Sequence, residues 1–401
     1  MKKKKVCIIT GSRAEWGLLY PLASQIKKDR RLDLKLVATA GHLMPESGLT
    51  YKEIEDDGFE IDAKIAMPLE EDREEAIAKT VGIGVTRLTD VLNILRPELL
   101  FLLGDRFETF TAAQAAFFLK VPIAHIHGGE LTEGSMDDSL RHAITKISHL
   151  HFVSTDIYRK RVIQMGEEPK RVFNVGALGL DNIKRIKPLK KNELEKRIDF
   201  RLGKNNIMVT YNPSTQESRD KTVSEFKGLL DALALLKDAK VIFTKPNVDI
   251  YYDTIEKMID MYIYNNRESA KSFSSMGRQL YLNTLFHMDV VAGNSSSGII
   301  EAPSFGIPTI NIGDRQRGRV RADTVIDVKE GRGSLKRAFR KALSSDFRKT
   351  CKEIINPYGD GSTSRKIVGI VRGLDNITSK KRFLDLDFEL PVKNRRRGKR
   401  I

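Results

Sequence analysis

Cysteine is nearly absent: Cys7 and Cys351 are the only two among 401 residues. Neither has the spacing of a metal site, so the chain suits a reducing cytoplasm. Cys7 lies in an apolar run and reads as a small buried hydrophobe. No apolar run approaches the length of a membrane span. The opening Met1-Lys2-Lys3-Lys4-Lys5-Val6-Cys7-Ile8-Ile9-Thr10 has too short an apolar segment for a signal peptide and reads as a first strand with a basic lead-in. Aromatic residues make up only 7%, and the body does not interleave them with basic ones, which argues against a nucleic-acid surface. Hydrophobic content is sufficient for real cores, at 40%. The length exceeds one typical domain and suits two α/β domains.

The formal charge of +16 invites a nucleic-acid hypothesis, but Lys2–Lys5 supply +4 of it and Lys380–Ile401 a further +6. The modestly basic body suits a small ligand bearing phosphate. The tail Lys393–Arg400 reads as a solvated, mobile terminus that can touch anionic surfaces.

Short runs rich in Val, Ile and Leu alternate with amphipathic stretches. Strands are expected at Val6–Thr10, Leu34–Ala40, Leu99–Leu103, Ile123–His127, His151–Ser154 and Val172–Val175. Helices are expected at Trp16–Lys28, Asp72–Leu95, Thr109–Phe118, Asp138–Ile147 and Asp156–Met165. After a basic break at Lys184–Lys204 the pattern restarts, with strands at Ile207–Tyr211, Lys240–Thr244, Val290–Ala292, Thr309–Ile312 and Val325–Val328. Helices follow at Ser218–Leu236 and Gln279–Met288. Apolar strands between helices indicate parallel sheets covered on both faces, which place ligands beyond the strands' carboxyl ends. Two such domains in tandem leave a cleft between them.

The polar motifs fall at those strand ends. Gly293-Asn294-Ser295-Ser296-Ser297-Gly298 follows a strand and leads into a helix. Backbone N–H groups and hydroxyls there suit a phosphate, although an ordinary serine-capped turn has the same composition. Glu301, one turn on, can accept from ribose hydroxyls. Arg315, Gln316 and Arg319 follow the next strand, and arginine forks match phosphate oxygens. Gly11-Ser12-Arg13-Ala14-Glu15 lacks the spacing of a dinucleotide fingerprint or a P-loop, yet Arg13 can face the cleft. His125-Ile126-His127-Gly128-Gly129-Glu130 and Asp137-Asp138-Ser139-Leu140-Arg141-His142 supply the groups needed to move protons at a sugar carbon. One of the two strand-end histidines is expected to be structural. Neither suits zinc without further ligands. Asp137 and Asp138 open a helix at Ser139–Ile147, which one of them can cap, and Arg141 can hold a carboxylate in its ionised form.

Taken in order, Gly11–Glu15, Gly104-Asp105-Arg106-Phe107-Glu108, His125–Glu130, Arg141-His142-Ala143-Ile144-Thr145-Lys146, Gly293–Gly298, Asn311–Arg319 and Asn356-Pro357-Tyr358-Gly359 form a set. That set closely resembles the hydrolysing UDP-N-acetylglucosamine 2-epimerases of bacterial sialic-acid-type pathways, from about Lys5 to Gly373. The resemblance implies an α/β, glycosyltransferase-B type fold: two Rossmann-like domains with an interdomain active-site cleft. The implied organisation is residues 1–183 and 184–361 as the two domains, 362–375 as a helix crossing back, and 376–401 as a mobile basic tail. It also implies conversion of UDP-N-acetylglucosamine and water to N-acetylmannosamine and UDP through an unsaturated glycal. No metal or nicotinamide is expected, and a homodimer or homotetramer is.

By the same resemblance Asp105, His127, Glu130, Asp137, Asp138 and Arg141 fall on catalytic positions. Arg13, Ala14, His125, Asn212, Ser295, Ser296, Ser297, Gly298, Glu301, Arg315, Gln316 and Arg319 fall on substrate-binding ones. Asp105 or Asp137 is the expected base at C2. Two departures stand out. His127 replaces the Glu of animal and non-hydrolysing relatives, as in the bacterial sialic-acid branch. Asn212 replaces a usual His; it can hydrogen-bond but cannot shuttle a proton at neutral pH. The nearest alternative is the same chemistry on UDP-2,4-diacetamido-2,4,6-trideoxyglucose. Other classes are a glycosyltransferase, which needs an acceptor site, and a basic nucleic-acid-binding protein.

Overall fold

The computed structural model describes residues 3–67, 74–132, 135–213, 218–246, 251–328, 331–374 and 377–387. The first half builds seven strands: β1 (Lys4–Thr10), β2 (Leu32–Thr39), β3 (Ala63–Ile65), β4 (Leu99–Leu103), β5 (Ile123–Ile126), β6 (Leu150–Val153) and β7 (Val172–Asn174). Their spatial order is β3-β2-β1-β4-β5-β6-β7. The second half builds β8 (Asn205–Thr210), β9 (Ala239–Thr244), β10 (Ala270–Phe273), β11 (Val290–Gly293), β12 (Thr309–Ile312) and β13 (Val325–Val328). These run in the order β10-β9-β8-β11-β12-β13. Every recorded pairing is parallel, including the central β1–β4 and β8–β11 pairs. Strand order reverses at those two pairs, where such sheets bind ligands.

Both faces of each sheet are covered. Trp16, Leu19, Phe101 and Phe152 pack on one face of the first sheet, and Leu88, Leu100, Leu102 and Ile144 on the other. Phe226, Phe243 and Phe339 do the same on one side of the second sheet, with Met208, Ile242 and Leu285 opposite. All five residues of β4 are buried, which accounts for its unbroken apolar sequence.

The helix Thr363–Gly373 returns to the first half. Its Ile367, Val368 and Val371 enter the core around Trp16. Its first turn is capped from elsewhere in the chain. Buried Asp181 accepts from the Thr363 amide at 2.8 Å, from the Ser364 amide at 2.7 Å, and from the Ser364 hydroxyl. Two orphan helix donors thus end on one carboxylate.

Three sequence expectations change, and a fourth cannot be compared. The strand expected at Ile123–His127 stops at Ile126, because His127 turns into the left-handed region at φ 66°. The helix expected from Asp138 begins at Met136, and Ser135, not an aspartate, caps it by accepting from the Asp137 amide. The start of the helix expected from Asp72 lies outside the described residues. The tail expected to be mobile is docked over 377–387. There Lys381 meets Glu167 at 2.9 Å, the Leu384 amide donates to the Gly166 carbonyl, and the Ser379 carbonyl lies 3.1 Å from His149 Nε2. The basic run Lys393–Arg400 lies outside the described residues. Among the described residues no helix is long and apolar enough to cross a membrane. The strands β3 and β10 and the helices Tyr252–Asn265 and Arg332–Ala342 were not foreseen.

Replacing Asp181 with alanine is expected to cost about 3 kcal/mol, since charge-assisted bonds to two buried amides are lost together. Urea unfolding of the purified variant measures this; an unchanged midpoint counts against the cap.

Candidate active site

Six loops follow central strands and converge between the two sheets. After β1 comes Gly11–Arg13. The position of Gly11 admits no side chain, since a Cβ there would lie 2.5 Å from Glu108 Cγ. Arg13 spans the halves: its Nε lies 3.4 Å from Glu53, and its other arm donates to Ser275.

After β11 the chain turns at Gly293, φ 132°, where a Cβ would fall 1.9 Å from the Thr210 carbonyl. Ser295 caps the following helix, Ser296–Ile300, by accepting from the Ser297 amide. That helix has five residues, so its dipole is small and the donors available to an anion are individual amides and hydroxyls. The Ser297 hydroxyl donates to Glu301 and lies 2.5 Å from the Tyr281 hydroxyl. Burial pushes the Glu301 carboxyl upward, with Ser297 opposing.

A cleft of about 920 Å³ opens here, lined in part by Arg13, Ala14, Asn212, Ser295, Ser297 and Glu301. Thr210, Thr244 and Lys245 also line it, and sequence reasoning missed them. The two threonine hydroxyls are 2.6 Å apart across neighbouring strands.

Three expected binding residues also make contacts within the protein. Gly298 faces Thr309, and its amide bonds the Ser295 carbonyl, so it serves close packing instead of donating to a ligand. Gln316 is buried and donates to the Asn294 carbonyl at 2.9 Å. Arg315 donates to the same carbonyl. Asn294 was passed over, yet its side chain clasps the backbone of Asn212 in both directions at 2.7 Å. It joins the loops after β8, β11 and β12, and its place inside the Gly-Asn-Ser motif was the available signal.

The residues expected to move protons gather at the ends of β4 and β5, outside the lining of that cleft. Arg141, one turn into the helix Met136–Ile147, is 2% exposed. It donates to the Glu130 carbonyl at 2.9 Å, to Asp138 at 3.3 Å, to the Thr132 hydroxyl at 3.0 Å and to Asp105. Burial pushes the Asp137 carboxyl up, Arg106 pulls it down and Glu108 adds to the rise; the net shift is upward. Arg106 is itself paired with Glu108 at 2.5 Å.

His127 Nδ1 lies 2.8 Å from Glu130 Oε1, and its Nε2 accepts from the Leu178 amide at 3.3 Å. Burial works against ionisation of Glu130, but His127, Arg319 and Ser154 outweigh it and leave the carboxyl down at about 2.

His125 leaves the list of residues that touch substrate. It is fully buried, with Nε2 2.7 Å from the Gly104 carbonyl and Nδ1 3.0 Å from the Thr145 hydroxyl. Burial drops it to about 3, so it is a neutral brace one residue before Asp105. Two residues apart on a strand would share a face; the left-handed turn at His127 separates the rings. Glu15 was also unforeseen. Burial raises it to about 8, against the Gly11 amide and with Glu108 adding to the rise. Among the described residues no group of His, Cys, Asp and Glu is arranged to hold a metal ion.

Two doubly wound halves, with a serine-rich turn on one and an ionisable cluster on the other, define a two-domain α/β protein of the glycosyltransferase-B type. Comparison with solved structures agrees. The UDP-GlcNAc 2-epimerase from Neisseria meningitidis bound to UDP-GlcNAc superposes with a TM-score of 0.80 at 18% identity, covering 92% of this chain and 99% of that one. Residues 24–372 match the family described as UDP-N-acetylglucosamine 2-epimerase, and the chain belongs to that family. A GDP/UDP-N,N'-diacetylbacillosamine 2-epimerase (hydrolyzing) of Campylobacter jejuni is 42% identical over 96% of this chain and all of its own length. A UDP-N,N'-diacetylbacillosamine 2-epimerase (hydrolyzing) of Legionella pneumophila is 35% identical over 92% of this chain and 96% of its own.

Replacing Arg141 with methionine leaves Asp105 and Asp138 without the cation they share. A loss of about 3–5 kcal/mol is expected, read from chemical denaturation.

Proposed function

We propose that this chain is a hydrolysing 2-epimerase acting on a nucleotide-linked 2,4-diacetamido-2,4,6-trideoxyhexose, the UDP-N,N'-diacetylbacillosamine class. UDP-N-acetylglucosamine, the main sequence-based expectation, becomes the second substrate to test. The observation that carries this choice is full-length likeness to two hydrolysing epimerases named for the diacetamido sugar.

In this reading the diphosphate rests against Ser295–Ser297, with Glu301 toward the ribose and Arg13 closing from the other half. Asn212 binds without moving a proton. Inversion at C2 needs proton transfer on both faces of the ring, and the cluster offers two carboxyl groups for it. Asp137 takes the C2 proton; the electrons of that C–H bond form the C1–C2 double bond, and the C1–O bond to UDP breaks. Its environment favours the protonated form, which suits a base that must capture a proton from carbon. Asp105, oriented by Arg141, takes one proton from the incoming water and passes it to the opposite face of C2 while the water's oxygen bonds C1 as the hydroxyl; the proton held by Asp137 leaves to solvent with UDP. The carbon acid is weak, so stabilising the departing diphosphate contributes most to the rate. Asp138 anchors Arg141, and a homodimer or homotetramer belongs to the same reading.

Incubating the enzyme with each nucleotide sugar and following the free sugar by NMR tests the assignment. At least ~10-fold higher kcat/KM for the diacetamido sugar is expected, because a site built for a second amide leaves buried groups unpaired with a hydroxyl. Preference for UDP-N-acetylglucosamine reverses the choice.

Asp137→Asn and Asp105→Asn should each lower turnover by about 100- to 10,000-fold without unfolding the protein. The sign of the pH effect follows from Asp137: its carboxylate forms only above a value raised from the ordinary 3.8. Wild-type kcat/KM should therefore decline on the acid side at a higher pH than an ordinary aspartate gives. Near-normal UDP release by the Asp137→Asn variant removes it as the base.

A further inference from the structure

The loop after β12 touches both halves of the site. At one end Arg315 and Gln316 bond the Asn294 carbonyl, beside the serine-rich turn. At the other end the loop crosses to the first half. Arg319 lies 3.0 Å from Glu130 Oε2, and their side chains are 15% and 4% exposed. The neighbouring Val320 is gripped by a closed circuit. Its amide donates to the Tyr158 hydroxyl at 3.0 Å, the Tyr358 hydroxyl donates to its carbonyl at 2.9 Å, and the two tyrosine hydroxyls are 3.1 Å apart.

Glu130 is the junction. Its Oε1 accepts from His127 and Ser154, and its carbonyl accepts from Arg141, which holds Asp105. His127 in turn accepts from the Leu178 amide, next to the helix Gly179–Arg185 that leads out of the first half. The Arg319 guanidinium is therefore committed to a protein carboxylate. A desolvated pair of this kind holds firmly when formed and leaves a costly charge when broken.

We propose that Arg319 is a positioning residue: seated with its loop, it fixes Glu130, and through it His127 and the Arg141–Asp105 pair, so that the acid–base half is ordered only while the nucleotide half is closed upon it. This inference rests on the function proposed above and corrects the expectation that Arg319 binds substrate directly. Coupling then runs through a chain of bonded groups with two arrangements, seated and released. A nucleotide drawn to the serine-rich turn favours the seated one through Asn294, Arg315 and Gln316. The arrangement confines proton-transfer chemistry to the closed cleft, where the glycal is kept from side reactions.

The test uses the full chain and four proteins: wild type, Arg319→Gln, Glu130→Gln and the double variant, with Arg319→Lys as a rescue. UDP affinity is measured by calorimetry, turnover by UDP release, and amide exchange over residues 172–182 by mass spectrometry. Each single variant is expected to lose about 100-fold in kcat, the scale of a small misplacement, while UDP affinity stays within about threefold. The double variant should lose no more than either single one, since both break one interaction. Exchange near Leu178 should quicken in both, and Arg319→Lys should recover part of the rate and the protection.

A fall in UDP affinity of about 30-fold confined to Arg319→Gln makes Arg319 a phosphate ligand and overturns the proposal. Multiplying losses in the double variant do the same. If wild type releases no UDP from either sugar, the functional reading fails. Amide exchange still decides the latch: unchanged exchange in both variants refutes it, and quickened exchange supports it.

Discussion

An arginine with 2% of its surface in water must have its guanidinium donors met by protein. Arg141 meets that demand by gathering Asp105 from the loop after β4, the Glu130 carbonyl and Thr132 hydroxyl from the segment after β5, and Asp138 from its own helix. None of these pieces can shift without stranding a buried charge. The ionisable groups are therefore held to one another as a unit, and with the Arg319 loop seated their geometry is set, the condition under which electrostatics contributes most to catalysis. His125 supports the same geometry from below by bonding the Gly104 carbonyl, just before Asp105.

Much of this was legible in the chain. β4 was placed at Leu99–Leu103 because a fully buried parallel strand carries no polar alternation, and polar motifs were expected at strand ends because such sheets expose their loops there. What escaped had physical causes. β3 and β10 are short and interrupted by Lys64 and by Lys271-Ser272, so they carry no apolar run to mark them. The left-handed turn at His127 breaks a strand without glycine at that position. Asp181 capping residue 363, Arg319 meeting Glu130, and Lys381 reaching Glu167 join residues far apart in sequence. Only folding brings such pairs together. Composition also misled: a basic tail reads as solvated, yet its first part is held by a buried glutamate and by Phe383 against Gly166.

The turn after β11 is organised by loop shape more than by a helix dipole. Its helix at Ser296–Ile300 is too short to carry a large macrodipole. Shape comes from Gly293, where the approach of the Thr210 carbonyl admits no side chain, and from Asn294, whose amide clasps the neighbouring loop as a backbone strand would. Three serines then supply hydroxyls at a geometry fixed by others. The motif looked like a dipole site and is better described as a braced turn.

Two glutamates show how environment sets charge within one cluster. Glu130 and Glu15 both leave their usual value, in opposite directions. Glu130 faces His127 and Arg319, so it is a carboxylate; its folded value lies below the ordinary 4.5, and the stability it adds is present above that and is lost as pH falls through about 2. Glu15 lies buried beside Glu108, so it keeps its proton; the stability it adds is present below 4.5 and is lost as pH rises through about 8. Because Glu15 also accepts from the Gly11 amide, the first loop is held by an uncharged group and the second half's loop by a charged one. Ionising Glu15 would set two carboxylates side by side under Gly11 and push against the loop that carries Arg13. The acid side of the pH range thus threatens the contact between the halves, and the alkaline side threatens the loop that faces the cleft.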